Sequence, residues 1–93
     1  MKNELNYNEK MNKVMGFWDE NRGMKFESSK DFWKFVSQNC REAFEVSEKV
    51  LGEQHEHAYQ MGYNEQPWQN PFEVGSLDYW MANECYGQGA SDV

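Results

Sequence analysis

The side chains best suited to chemistry in this 93-residue chain are two histidines, two cysteines and sixteen carboxylates. His55 and His57 stand beside Glu53 and Glu56, and zinc accepts both imidazole and carboxylate ligands. On a helix, residues two apart point about 200° away from each other, so the two histidines cannot share one ion. Glu53 and His57, four apart, could share one only with ligands from elsewhere. We therefore expect no metal, no cofactor and two solvent-exposed histidines at the start of a helix.

Cys40 and Cys85 are the candidate nucleophiles. Cys40 lies in the middle of an apolar helical stripe, where a thiol is normally buried and unreactive. Cys85 follows Glu84, whose negative charge disfavours a thiolate. We expect thiols rather than a disulfide in a reducing compartment. Since no phosphate-binding glycine loop, nucleophile elbow or distinctive carboxylate pair accompanies them, we predict that the chain is not an enzyme.

Charge is distributed unevenly along the chain, whose formal net charge is −7. Residues 1–49 hold nine acids and nine basic residues, whereas residues 50–93 hold seven acids and neither Lys nor Arg. Phosphate backbones and anionic membranes are bound mainly through Lys and Arg, so we expect residues 50–93 to contact neither nucleic acid nor a membrane directly. The acids favour a partner protein with a basic surface. The alternative is that they only keep the chain in solution.

The chain shows no sign of a membrane span or a secretory signal. No apolar run reaches the ~20 residues of a span, and the first eight residues lack a hydrophobic segment. The composition includes six Phe, five Tyr, four Trp and six Met, which can fill a core that lacks Ile. We therefore predict a cytoplasmic chain with a single domain, 1–93, frayed over 1–6 and 87–93.

Apolar spacing predicts an all-α fold with four helices. The first covers residues 7–22, and Asn6 with Glu9 forms a capping-box pattern at its start. The second covers residues 29–51, with Ser28 and Ser29 as candidate caps. It carries an apolar stripe about half the helix surface wide, which indicates a central helix or a homo-oligomer interface. A Glu45–Lys49 pair is expected on its other face. The stripe consists of Phe32, Trp33, Phe35, Val36, Cys40, Ala43, Phe44, Val46, Ser47, Val50 and Leu51.

The third and fourth helices are separated by a loop rich in proline and aromatic residues. The third is predicted over 53–64, and the fourth begins at Ser76, a good N-cap, and ends near Tyr86. Two prolines and a glycine in residues 65–75 exclude a continuous helix. We therefore expect a small four-helix domain whose last two helices are joined by a structured loop.

One segment of the second half has a familiar pattern. It reads His57-Ala58-Tyr59-Gln60-Met61-Gly62-Tyr63, then Asn70-Pro71-Phe72, Gly75-Ser76 and Trp80. Over residues 57–89 this pattern resembles the ribosome modulation factor family and its small phage-encoded relatives. The resemblance implies two helices joined by a loop, with Gly62 at the helix crossing and Tyr63, Phe72 and Trp80 packed between the helices. Ribosome-binding members are strongly basic, whereas this segment holds neither Lys nor Arg, so only the fold carries over.

These observations predict a small acidic phage-type interaction protein. It would bind the basic, nucleic-acid-binding surface of a host protein, such as CRISPR, restriction or recombination machinery, and block it as an inhibitor or nucleic-acid mimic. One alternative is a ribosome-associated modulation factor that uses the basic residues of the first half, and another is a helical oligomer that sequesters a small ligand. The contact residues predicted for the first function are the acids Glu53, Glu56, Glu65, Glu73, Asp78 and Glu84, with Trp68 and Tyr79 as aromatic anchors.

Overall fold

A computed structural model describes residues 6–46 and 51–93, and over these residues the chain is all-α. The predicted small four-helix class, with a proline- and aromatic-rich loop before the last helix, is confirmed. Predictions for residues 1–5, Ser47, Lys49 and Val50 fall outside the described residues. The elements in chain order are α1 (Tyr7–Asn21), α2 (Ser29–Asn39), a short 3-10 helix (Arg41–Phe44), α3 (Glu53–Tyr63) and α4 (Leu77–Ser91).

Three of the helices begin at side-chain caps that the sequence predicts. The Asn6 side chain accepts the backbone N–H of Glu9 at 2.8 Å, and the Glu9 carboxylate accepts the N–H of Asn6 at 2.9 Å. Ser28 and Ser76 cap α2 and α4, each accepting the backbone N–H three residues further on. These oxygens satisfy N–H groups that have no partner within the first helical turn.

The second helix is shorter than predicted. α2 ends at Asn39, and Cys40, with φ −159° and ψ 74°, leads into the 3-10 helix Arg41–Phe44. Cys40 and Ala43 are nevertheless buried, so the apolar stripe continues across the break. Because a helix and a 3-10 turn both wind the chain, the spacing of apolar residues did not reveal where one replaces the other.

The last two helices, with the loop between them, form what we call the α3–α4 unit (residues 53–91). The start of α3 meets the start of α4, where His55 Nε2 lies 2.9 Å from Asp78 Oδ1. The end of α3 meets the end of α4 at Gly62 and Gly89. The two helices therefore run in the same direction, and the loop must return along them.

That return loop is held against α4 by hydrogen bonds along its length. The Tyr86 hydroxyl donates to the carbonyl of Gln66 at 2.8 Å. The Asn70 amide donates to the carbonyl of Tyr79 at 2.8 Å and to Asn83 Oδ1 at 3.0 Å. The loop is thus a structured part of the unit, as the resemblance implied.

Gly62 and Gly89 bring the two helix backbones into direct contact. A Cβ at Gly62 would overlap the carbonyl oxygen of Tyr86, and one at Gly89 would overlap the carbonyl oxygen of Tyr59. The predicted crossing at Gly62 is confirmed. The predicted frayed tail at 87–93 is wrong, because α4 continues to Ser91 and Gly89 is buried against α3.

The N-terminal unit (residues 6–46) is joined to the α3–α4 unit by backbone pairing as well as by the core. The N–H of Phe26 donates to the carbonyl of Gly75 at 2.7 Å, and the N–H of Leu77 donates to the carbonyl of Met24 at 3.2 Å. Gly75 has φ +90°, a conformation that favours glycine. The core draws on both units and contains Val14, Trp18, Phe32, Val36, Cys40, Ala43, Leu51, Ala58, Leu77, Met81, Ala82 and Cys85.

Candidate functional site

The outward surface of α3 and the residue just beyond it carry what we call the acidic face (Glu53, Glu56 and Glu65). Glu53 and Glu65 are exposed, and Glu56 is half-buried and accepts a hydrogen bond from Gln60 at 3.4 Å. Among the described residues, no Lys or Arg forms an ion pair with Glu53 or Glu65. Glu53 and Glu65 therefore keep their negative charge available to solvent or to a partner.

The C-terminal ends of α3 and α4 add to the negative potential near Glu65, at the opposite end of α3 from Glu53 and Glu56. Each helix end carries a partial negative charge of about half an elementary unit, and parallel helices place two such ends together. Neither helix has a basic residue in its last turn. Glu65 follows the end of α3 and Asp92 follows the end of α4, so formal charges lie beside both ends.

Besides Glu56, three of the six predicted contact acids are engaged within the chain. Glu73 forms an ion pair with Lys25. Glu84 accepts a hydrogen bond from the Trp33 indole N–H at 3.0 Å. Asp78 is only 7% exposed, so its prediction as a partner-binding residue is wrong. The sequence showed that the second half of the chain is acidic, but it did not show which acidic side chains are buried or paired.

Asp78 joins α1 to the start of α4. Its Oδ1 accepts the Trp18 indole N–H at 2.5 Å and lies 2.9 Å from His55 Nε2, while Oδ2 lies 3.5 Å from Arg22 Nη1. Burial by itself raises the pKa of Asp78, but the hydrogen bonds with His55 and Trp18 outweigh it and hold the pKa below its ordinary value. Asp78 is thus a buried charged group whose contacts link α1, α3 and α4, and its role is to stabilise the fold.

His55 is buried, contrary to the sequence prediction, whereas His57 is exposed as predicted. The His55 ring stacks on Phe72 with centroids 5.0 Å apart, and it meets the Trp18 ring edge-on at 6.0 Å. Its Nδ1 is buried and has no hydrogen-bond partner among the residues that the structure describes. Position 55 shares one helix face with Ala58 and Gly62, three and seven residues further on, and that spacing was the available signal.

The described residues contain no group of three or more His, Cys, Asp and Glu side chains that could hold a metal ion. Cys40 and Cys85 are both buried, which is the environment predicted for Cys40. Burial raises the pKa of the Cys40 thiol, so the thiol form is favoured over the nucleophilic thiolate. Within the part of the chain described, no helix is both long and apolar enough to cross a membrane.

Three aromatic side chains differ in exposure from what the sequence predicts. Trp68 is half-buried and stacks on Tyr86 with centroids 5.1 Å apart, and Tyr79 is also half-buried. Neither ring is therefore a fully exposed anchor. Tyr63 is 50% exposed and stacks on Tyr59, so its predicted packing between the helices is wrong.

The other two rings implied by the resemblance do pack inward. Phe72 and Trp80 are partly buried and lie against the core. The Trp80 indole N–H also donates to the carbonyl of Phe26 at 3.2 Å, which ties α4 to the N-terminal unit. Phe72 covers one face of His55, as described above.

Comparison of the chain with protein-family models, with curated proteins and with solved structures finds no match. The resemblance to the ribosome modulation factor family therefore stays a prediction made from the residues.

Proposed function

We propose that this chain is a cytoplasmic interaction protein of the phage type, which binds the basic, nucleic-acid-binding surface of another protein and blocks it. The acidic face and the adjoining ends of α3 and α4 would form the contact. The observation that carries the proposal is the charge imbalance of this surface, where Glu53 and Glu65 lack a cationic partner among the described residues. Such a surface attracts cationic groups over distances of about a Debye length.

Four of the seven Lys and Arg side chains that the structure describes are already paired with acids, which favours this proposal over a ribosome-associated factor. Lys10, Lys13, Arg22 and Lys25 each form an ion pair with an acid of the same chain. RNA binding through these residues would have to break those pairs first. Glu53 and Glu65 have no such ion pair to break among the described residues before they meet a basic surface.

The oligomer alternative has less support because the apolar stripe of α2 is largely covered within the chain itself. Phe32 and Val36, at the centre of the stripe on α2, are fully buried in the chain's own core. Trp33 is the large stripe residue of α2 that stays exposed, at 39%. Most of the apolar surface that suggested a second subunit is therefore used within one chain.

The proposal is tested by affinity capture from bacterial lysate at about 0.1 M and about 0.5 M salt, which screens exposed charges. We expect one dominant nucleic-acid-binding protein, retained at the lower salt and reduced at the higher. The purified chain should then release a labelled nucleic acid from that protein. Capture of ribosomal proteins that are lost on nuclease treatment would instead support the ribosome-associated alternative.

A matched pair of variants locates the contact. Glu53→Gln/Glu56→Gln/Glu65→Gln neutralises the acidic face, whereas the control removes three exposed acids of the N-terminal unit and changes net charge equally. At about 0.1 M salt we expect the first variant to bind the captured partner roughly tenfold more weakly, since three exposed pairs contribute about 0.5 kcal/mol each. Equal losses in both variants would show that only net charge matters. The control variant is Glu20→Gln/Glu27→Gln/Asp31→Asn.

A further inference from the structure

An open groove of about 290 Å³ lies between α4 and the segment formed by α2 and the 3-10 helix. Trp33 and Phe44 form its aromatic wall. The α4 wall consists of Met81, Glu84, Cys85 and Gln88, which recur at helical spacing on one face. At about 30 Å³ for each water-sized group, the groove has room for on the order of ten such groups.

The aromatic wall is held in a defined orientation. The rings of Trp33 and Phe44 stack with centroids 4.2 Å apart and an interplanar angle of 13°. The Trp33 indole N–H donates to Glu84 Oε2 at 3.0 Å, which ties the aromatic wall to α4. A large, partly exposed indole with both its ring and its N–H fixed is a preorganised contact surface.

Glu84 gives the groove its charge. It is the one charged side chain among the described residues that line the groove. Its hydrogen-bond donor is a neutral indole, so this contact brings no positive charge to the carboxylate, and the second oxygen can accept further hydrogen bonds. None of the ion pairs formed among the described residues involves Glu84. A carboxylate set against apolar and aromatic walls favours a cation with an apolar body.

We propose that this groove binds a guanidinium or ammonium group carried on an apolar stem. The cation pairs with Glu84 and lies against the indole of Trp33, while the stem contacts Met81 and the remaining apolar wall. A guanidinium suits the site better than an ammonium, because its planar fork matches a carboxylate and stacks on aromatic rings. The ligand is either a free amine or guanidine, or an arginine side chain presented by a polypeptide.

This site is separate from the acidic face. The groove uses residues 81, 84, 85 and 88 of α4, whereas Tyr86 and Gly89 of the same helix meet α3. The groove proposal therefore does not depend on the proposed function. Neutralising Glu84 and neutralising the acidic face are independent experiments.

The test follows the four indole N–H signals in a ¹H–¹⁵N spectrum, with the Trp33 signal assigned by its absence in Trp33→Phe. Butylguanidine is compared with butylurea, its uncharged analogue of similar shape. We expect butylguanidine to shift the Trp33 signal saturably with a millimolar Kd, of the order reached by small fragments, and butylurea to bind at least fivefold more weakly. Equal responses to the two compounds, or no saturable shift at Trp33, would overturn the proposal.

Glu84→Gln sharpens the test, because the side-chain amide keeps an oxygen that can accept the Trp33 N–H. In this variant we expect the preference for butylguanidine over butylurea to disappear. If the variant does not fold, as judged by circular dichroism, the comparison of the two compounds on the unaltered chain still decides the matter. Glu20→Gln, which removes an exposed acid of α1 outside the groove, is the matched control and should keep the preference.

The source of the cation is distinguished by a short peptide. Acetyl-Gly-Arg-Gly-amide is titrated beside butylguanidine, and its citrulline counterpart provides the uncharged control. Binding of the arginine peptide at least tenfold tighter than butylguanidine assigns the groove to a polypeptide side chain. Equal or weaker binding of the peptide assigns it to free amines and guanidines.

Discussion

The N-terminal unit and the α3–α4 unit differ in how their surface charges are balanced. In the first, Lys10 and Lys13 reach Glu45 and Glu42 at 2.8 and 3.1 Å, so cations and acids of the same unit neutralise each other. In the second, the acidic face has no Lys or Arg of its own. Exposed ion pairs contribute at most about 1 kcal/mol of stability each. The difference in charge balance therefore determines what each surface attracts, and it contributes little to the stability of the fold.

The two units also differ in how their elements pack. The N-terminal unit packs through rings, with Phe35 lying 5.7 Å from Phe17 and 5.3 Å from Phe26 between centroids. The α3–α4 unit packs through backbone at Gly62 and Gly89. Rings can shift or be replaced at moderate cost, whereas a backbone contact leaves no side chain to adjust. The two units should therefore respond very differently to mutation.

The largest effect is expected from Gly62→Ala. The new methyl group would overlap the Tyr86 carbonyl, and since both groups belong to helix backbones, α3 and α4 must separate. We expect a loss of about 3 kcal/mol or more in the free energy of unfolding, measured by urea denaturation.

Two further variants complete this comparison. Gly87→Ala, on α4 with nothing within 4 Å of the new group, should raise stability by about 0.5–1 kcal/mol, because alanine favours a helix. Phe35→Leu should cost only about 1 kcal/mol, because the neighbouring rings can adjust. If Gly62→Ala were no more damaging than Phe35→Leu, the contrast between backbone and ring packing would be wrong.

An intermediate effect is expected from Asp78→Asn, which tests the buried link between the two units. The variant removes the charge that Trp18, His55 and Arg22 share, while it keeps the size of the side chain. We expect a loss of roughly 1–3 kcal/mol at neutral pH, because buried donors lose a charged acceptor. Glu20→Gln, an exposed acid on α1, is the control and should change stability by less than about 0.5 kcal/mol.

The stability that the Asp78 charge provides should depend on pH in a defined direction. The folded state holds the pKa of Asp78 below its ordinary value of 3.8, so the contribution is complete above that value and is lost as the pH falls through the lower, folded-state pKa. The stability difference between the unaltered chain and Asp78→Asn should therefore shrink below about pH 4. A difference that stays constant in urea denaturation from neutral pH down to about pH 2 would contradict this assignment.

The smallest effect is expected from Lys13→Gln, which removes the ion pair with Glu42. We expect a loss of at most about 0.5 kcal/mol at low salt, and none at about 1 M salt, where exposed charges are screened. Urea denaturation at the two salt concentrations measures both values. A loss above about 1.5 kcal/mol that persists at high salt would show that charge balance in the N-terminal unit does hold the fold together.

Local features of the sequence predicted much of the fold. The caps at Asn6, Ser28 and Ser76 depend on groups three residues apart, and the crossing at Gly62 was implied by the resemblance over residues 57–89. The end of α2 at Asn39 could not be predicted, because the apolar spacing continues across it. The order in α4 beyond Tyr86 was also missed, since it depends on contact between Gly89 and another helix.

The candidate site was less predictable because burial of polar residues is set by distant partners. Asp78 is buried through Trp18, which lies 60 residues earlier, and through His55, which lies 23 residues earlier. The Trp33–Glu84 contact joins residues 51 apart. Composition alone located the acidic half. It did not show that Glu53 and Glu65 would remain exposed while Asp78 turned inward.

The contact between Gly62 and Gly89 also bears on how the chain exchanges its amide hydrogens with solvent. The last turns of a chain ordinarily open at almost no free-energy cost, so their amides exchange quickly. Here α4 cannot unwind around Gly89 without leaving the backbone of α3. Amide protection should therefore extend into the last turn of α4, and the ends of α3 and α4 should open together as one cooperative segment.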